Sequence, residues 1–142
     1  NSIILRKTKE PSNEHLSIDL NKAPDIAQTI AVTCYGLRVS CELLGLHTLK
    51  IKETDRLEAL HSELTKLGAN ISVTSNSLYL KSRSEIVADV SIETYNDHRM
   101  AMAFAPLGMK IPLEILDADV VTKSYRNFWK DLQKIGFQIN KV

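Results

Sequence analysis

The stretch from Met100 to Ala105 constrains the fold of this chain more than any other, because it reads as a helix with no polar side. Asn96 and Asp97 ahead of it are good N-caps, and the methionines and alanines that follow favour helix. A helix that is apolar all round has to be buried, so the other elements must enclose it. The run Thr94-Tyr95-Asn96-Asp97-His98-Arg99 that leads into it sets an amide, a carboxylate, an imidazole and a guanidinium side by side. His98 and Arg99 are thereby held at the mouth of a buried helix, where exposed backbone N–H groups and the dipole favour an anion. Taken alone, a capped core helix with a solvated His-Arg pair is the ordinary reading. What points further is that the arrangement recurs.

A weak internal repeat runs along the chain. Leu16-Ser17-Ile18-Asp19 matches Val90-Ser91-Ile92-Glu93 at an offset of 74. Gly36 matches Gly108, and Glu42-Leu43-Leu44 matches Glu114-Ile115-Leu116, both at 72; Leu67-Gly68 matches Ile135-Gly136 at 68. The falling offset reads as short loop deletions in the second copy, with the order of elements kept. Each copy reads as strand, helix, strand, helix and a closing strand or strand pair, which predicts an α+β fold.

In the first copy Leu16 to Leu20 is a strand, Pro24 opens a helix reaching Tyr35, and Gly36 closes it. Val39 to Leu44 is the next strand, and His47 to Ile51 reads as a further short one. Leu57, Leu60, Leu64 and Leu67 mark an amphipathic helix ended by Gly68, and Ile71–Val73 with Leu78–Leu80 reads as a hairpin. The second copy has strands at Val90–Glu93 and Leu113–Leu116, the helix after Asp97, and a last helix capped by Ser124. That last helix is expected to turn Tyr125, Phe128, Leu132 and Ile135 inward.

At 142 residues and 44% hydrophobic content the chain can bury one core and is read as a single domain, 1–142, with copies at approximately 1–80 and 81–142. A net charge of +1 and an aromatic share of 6% argue against a nucleic-acid stripe or a membrane-binding face. Cys34 and Cys41 are too few for a disulfide framework and have no zinc-ligand spacing, so both are expected reduced in the core of a cytosolic protein. The first residue is Asn1 and it runs straight into the strand-like Ile3-Ile4-Leu5, which suggests a piece cut from a longer chain.

The cations are placed against the local rules. Lys52 and Arg56 flank the start of the Leu57 helix at i, i+4, and Lys123 precedes the Ser124 cap. With His98-Arg99, three helix starts carry basic side chains where the dipole asks for acids. A local rule broken repeatedly in one way is the pattern of a functional site, here one for a phosphate and a carboxylate. The plainer alternative is that Glu53 and Asp55 neutralise Lys52 and Arg56, that Lys123 is solvated, and that Asp25 after Pro24 is a helix cap.

Lys52-Glu53-Thr54-Asp55-Arg56, Tyr95-Asn96-Asp97-His98-Arg99-Met100-Ala101 and Lys123-Ser124-Tyr125, in that order, resemble the C-terminal motifs of the EPSP synthase family. The segment Asp19 to Asp25 resembles the family's loop that presents a catalytic aspartate, and the likeness runs roughly from Ile3 to Ile139. The resemblance implies βαβαββ units with buried helices and outer sheets, two globular halves forming an inside-out α/β barrel, and an active site between them. This chain would supply about two units of one half, and the missing half of the same enzyme would be its partner.

The implied reaction moves the enolpyruvyl group of phosphoenolpyruvate onto the 5-hydroxyl of shikimate 3-phosphate by addition and elimination, with no metal or organic cofactor. By position Arg56, Arg99 and Lys123 match residues that clamp phosphoenolpyruvate. Asp25 and Lys52 match residues at the shikimate hydroxyl and bridging oxygen; Asp25 and Glu53 are the candidates for proton transfer, and His98 supports them. Thr48 stands where the family often has an Asn touching the shikimate phosphate, and Arg126 replaces a frequent proline, which can change the last helix start. The resemblance further implies a cytoplasmic, monomeric full enzyme with small-molecule substrates. Two other readings stay open: a sister enolpyruvyl transferase acting on a UDP-sugar, against which the Tyr95–Met100 run speaks, and a non-catalytic anion-binding or interaction module of the same fold.

Overall fold

The computed structural model describes residues 3–4, 15–81 and 85–141. The first repeat is a complete βαβαββ unit: β1 (His15–Asp19), α1 (Ala27–Gly36), β2 (Ser40–Leu44), α2 (Arg56–Lys66), β3 (Asn70–Val73) and β4 (Leu78–Lys81). Its sheet runs β1-β2-β4-β3, with β1 parallel to β2 and β4 antiparallel to both its neighbours. His15, Ser17, Asp19, Tyr79 and Lys81 face outward. Cys41, Leu43, Leu78 and Leu80 face the helices and are buried. That alternation is the period-two pattern of a sheet covered on one face.

The second unit has β5 (Val90–Ile92), α3 (His98–Phe104), β6 (Leu113–Ile115) and α4 (Phe128–Lys134). No closing strand follows α4 among the described residues, so the expected last strand is not formed there. The repeat itself is physical. Ser17 pairs with Glu42 between β1 and β2, and Ser91 pairs with Glu114 between β5 and β6 in the same parallel register. In both sheets the serine hydroxyl donates to the glutamate carboxylate.

The core is the set of faces the sequence marks. Leu57, Leu60, Leu64 and Leu67 are fully buried, and each contributes about 1.5–3 kcal/mol by leaving water. Met100, Ala101, Ala103 and Phe104 of α3 are buried between α1 on one side and the Val121–Phe128 cluster on the other. Both cysteines are free and buried.

Several expectations are corrected. Ile3 and Ile4 form no strand and are exposed, while Leu5 lies outside the described residues. His47–Ile51 is a 3-10 helix, not a strand. Both edges of β2 are already taken by β1 and β4, so a strand continuing from it has no free partner beside it. Leu49 is buried from this turn while Ile51 is 83% exposed. Gly36 is the last residue of α1, as read, but its lack of a side chain serves a close approach rather than a left-handed cap, since a Cβ there would sit 2.9 Å from Leu107 Cδ2. The left-handed residue that turns the chain out of α1 is Arg38, with φ 58°.

The last helix also starts later than expected. Ser124 caps nothing at its N-terminus; it closes the 3-10 turn Ala118–Lys123, and α4 begins at Phe128. A seven-residue helix has only two turns, so Phe128, Trp129 and Leu132 pack inward. Tyr125 lies outside it, donating to Asp131 Oδ2, and Ile135 is 73% exposed.

Candidate active site

Arg56, the first residue of α2, is the centre of the site. Its side chain is among the largest fully buried ones, which is tolerable for a guanidinium only if its donors are matched by charge. Three carboxylates match them. Nε donates to Asp97 Oδ2 at 2.6 Å, Nη1 to Asp25 Oδ1 at 2.8 Å and Nη2 to Glu53 Oε2 at 2.7 Å.

Asp97 is itself fully buried and serves twice, because its Oδ1 also accepts from Arg99 N at 2.9 Å as the N-cap of α3. The sequence shows only the cap. A cap on an all-apolar helix must go inside with it, and a buried carboxylate needs a cation; that reasoning asks for a buried cation without saying which.

Asp25 sits in a 3-10 turn, Pro24–Ile26, that leads into α1, and no side chain caps the start of either element. The capping alternative for Asp25 is therefore excluded. Its carboxylate faces three cations instead: Arg56, Lys52 Nζ at 3.4 Å and Arg99 Nη2 at 3.4 Å, while Arg99 Nη1 also donates to the Asp25 carbonyl at 3.1 Å. Burial alone would raise the Asp25 carboxyl, but the charges of Arg99, Lys52 and Arg56 and a hydrogen bond from Lys52 outweigh it and hold it below its ordinary value. Asp25 and Asp97 are 72 positions apart, the same spacing as Gly36 and Gly108, so one position of the repeat supplies both aspartates.

The other predicted site residues divide. Lys52, Glu53, Arg56, Arg99 and Asp25 converge as expected, although Asp55 neutralises neither cation: it caps α2 by accepting from Leu57 N and Glu58 N. His98 borders the cluster, its Nδ1 3.9 Å from Asp97 Oδ1, beyond hydrogen-bond reach. Lys123 closes its 3-10 turn rather than opening a helix, is exposed, and among the described residues has no ion-pair or hydrogen-bond partner. Thr48 Oγ1 is buried without a hydrogen-bond partner. Among the described residues no group of His, Cys, Asp and Glu comes together that could hold a metal ion, and no helix is long and apolar enough to cross a membrane.

A sequence profile of the family described as EPSP synthase (3-phosphoshikimate 1-carboxyvinyltransferase) matches residues 1–132. The chain belongs to the EPSP synthase family. A 3-phosphoshikimate 1-carboxyvinyltransferase of Bacteroides fragilis (strain YCH46) is 47% identical over 129 residues, covering 89% of this chain and 32% of the relative. Another from Clostridium novyi (strain NT) is 35% identical over 132 residues, covering 92% of this chain and 30% of that protein. The chain thus spans about a third of the length of these EPSP synthase relatives. A solved structure of EPSP synthase from Acinetobacter baumannii superposes with a TM-score of 0.75 at 24% identity, over 83% of this chain and 28% of that one. That likeness shows the fold: this α+β arrangement is part of the EPSP synthase fold.

Proposed function

We propose that this chain is part of an enzyme that transfers the enolpyruvyl group of phosphoenolpyruvate to the 5-hydroxyl of shikimate 3-phosphate, with release of phosphate. The observation that carries the reading is Asp25. Its carboxylate is held among cations brought by three separate elements: Lys52 from the loop before α2, Arg56 from α2 and Arg99 from α3. A carboxylate clamped in this way is ionised and fixed in direction, which suits a group that has to receive a proton.

Lys52 and Arg99 keep a third or more of their side chains exposed and can turn toward substrate oxygens. Arriving anions would draw those cations away from Asp25 and raise its proton affinity as the hydroxyl proton leaves. Glu53, held on one side by Arg56 and otherwise open, is the carboxyl placed to deliver a proton to the methylene carbon. Arg56 reaches phosphoenolpyruvate only by exchanging one of its carboxylates for a substrate oxygen. Lys123 joins the clamp from the end of the Ala118–Lys123 turn, with the remainder of the enzyme supplying the rest, and His98 supports the Asp97 corner. The two units act as one domain of that enzyme, and a cytoplasmic location goes with the reading.

The test uses the complete enzyme with Asp25→Asn. The substitution keeps shape but cannot take up a proton, so phosphate release should fall by about 10²-fold or more with little change in KM for phosphoenolpyruvate. Wild-type turnover in Asp25→Asn would remove Asp25 from the chemistry.

A further inference from the structure

Glu63 lies on the inner face of α2, is fully buried, and has no part in the cluster around Arg56. Its Oε1 accepts from Tyr95 OH at 2.7 Å, and its Oε2 accepts from Glu93 N at 3.1 Å and Lys66 Nζ at 2.7 Å. Two of those donors, Glu93 and Tyr95, belong to the link between β5 and α3. Within that link Tyr95 and Asn96 are consecutive left-handed residues, with φ 54° and 55°. Asn tolerates that conformation, but for a bulky tyrosine it is a genuine outlier that persists only when the surroundings impose it. The next three residues are Asp97, His98 and Arg99. The direction in which the strained turn leaves Asn96 therefore fixes where Asp97 meets Arg56 and where Arg99 meets Asp25.

We infer that Glu63 and Tyr95 are positioning residues: the Glu63 carboxylate holds the Tyr95-Asn96 turn in its left-handed form and so aims Arg99 at the substrate. The inference rests on the enolpyruvyl-transfer reading of the site. Burial, and the hydrogen bond to and charge of Glu63, push the Tyr95 phenol up to about 12, so it remains a donor throughout the working range. α2 thus connects to the site twice, through Arg56 at its start and through Glu63 two turns later.

The test compares two single-atom deletions in the complete enzyme. Tyr95→Phe removes the hydroxyl bound to Glu63. Tyr35→Phe removes a more deeply buried hydroxyl, which donates to Leu67 O at 2.6 Å just beyond α2 and leads nowhere near the turn. Both should lower the melting temperature. Only Tyr95→Phe should lower kcat/KM for phosphoenolpyruvate, by about tenfold or more, with KM for shikimate 3-phosphate within about twofold of wild type. The amide signals of His98 and Arg99 should move in Tyr95→Phe and stay in place in Tyr35→Phe. Equal effects of the two variants on kcat/KM, or unmoved His98 and Arg99 amides in Tyr95→Phe, overturn the inference. An inactive wild-type enzyme would instead overturn the functional reading, and the amide shifts would still decide the positioning role.

Discussion

Asp55 and Asp97 look alike in the sequence, each an aspartate one residue before a helix, and the structure separates them by what else they do. Asp55 only caps; Asp97 caps and neutralises a buried guanidinium. Asparagine caps as well as aspartate, so Asp55→Asn should leave stability within about 0.5 kcal/mol of wild type. Asp97→Asn keeps the cap but removes the one fully buried carboxylate of the three that hold Arg56, and should cost about 1–3 kcal/mol in urea denaturation. The same burial makes Arg56→Lys a poor exchange, because an ammonium cannot fork to three carboxylates. Asp25 gives a pH signature. Its folded-state pKa lies below its unfolded one, so its stabilisation is present at neutral pH and is lost as pH falls below about 4 through the lowered value. The stability gap between wild type and Asp25→Asn should therefore narrow as denaturation is followed from about pH 6 to about pH 3. At this scale the sequence disclosed which side chains matter and hid how they are satisfied. The cations at helix starts were visible, but two of the carboxylates that occupy Arg56 come from 31 and 41 positions away, and no local pattern reports a pairing of that length.

Elements were legible where one periodicity governed them. The leucines of α2 and the strands β1 and β2 stand as read, because each element buries a single face. His47–Ile51 misled because its apolar residues have the composition of a strand, and whether a neighbouring edge is free is a property of the whole sheet. α4 misled because Ser124 has the chemistry of a cap, while the preceding 3-10 turn had already used it as an end. Gly68 is the element boundary read for the right reason: it has φ +93°, and a Cβ there would lie 3.0 Å from the Glu85 carbonyl oxygen. Gly68→Ala should lower stability by about 1–2 kcal/mol, measured by chemical denaturation, from the left-handed backbone alone. Gly36→Ala should cost less, since the atom it meets is the end of a leucine side chain that can turn aside, and alanine favours the helix.

At the scale of the whole molecule, the chain offers a charged cluster whose cations Lys52, Arg56 and Arg99 already hold carboxylates. The remaining two-thirds of the relatives' length is where the other substrate contacts should lie. Phosphate release by this chain alone should be negligible beside that of the complete enzyme; comparable rates would mean that the cluster is sufficient by itself. Both strand-helix-strand arrangements could be read from a few matched residues, whereas the lack of a closing strand after α4 among the described residues could not. Asp25 and Asp97 occupy the same position of a duplicated unit, yet one is sealed inside as the fixed counter-ion of Arg56 and the other remains 38% exposed beside Lys52 and Arg99. An aspartate that holds a buried arginine still needs surroundings that never change, whereas one that is to receive a proton needs surroundings that do. Having the position twice lets different copies meet the two demands.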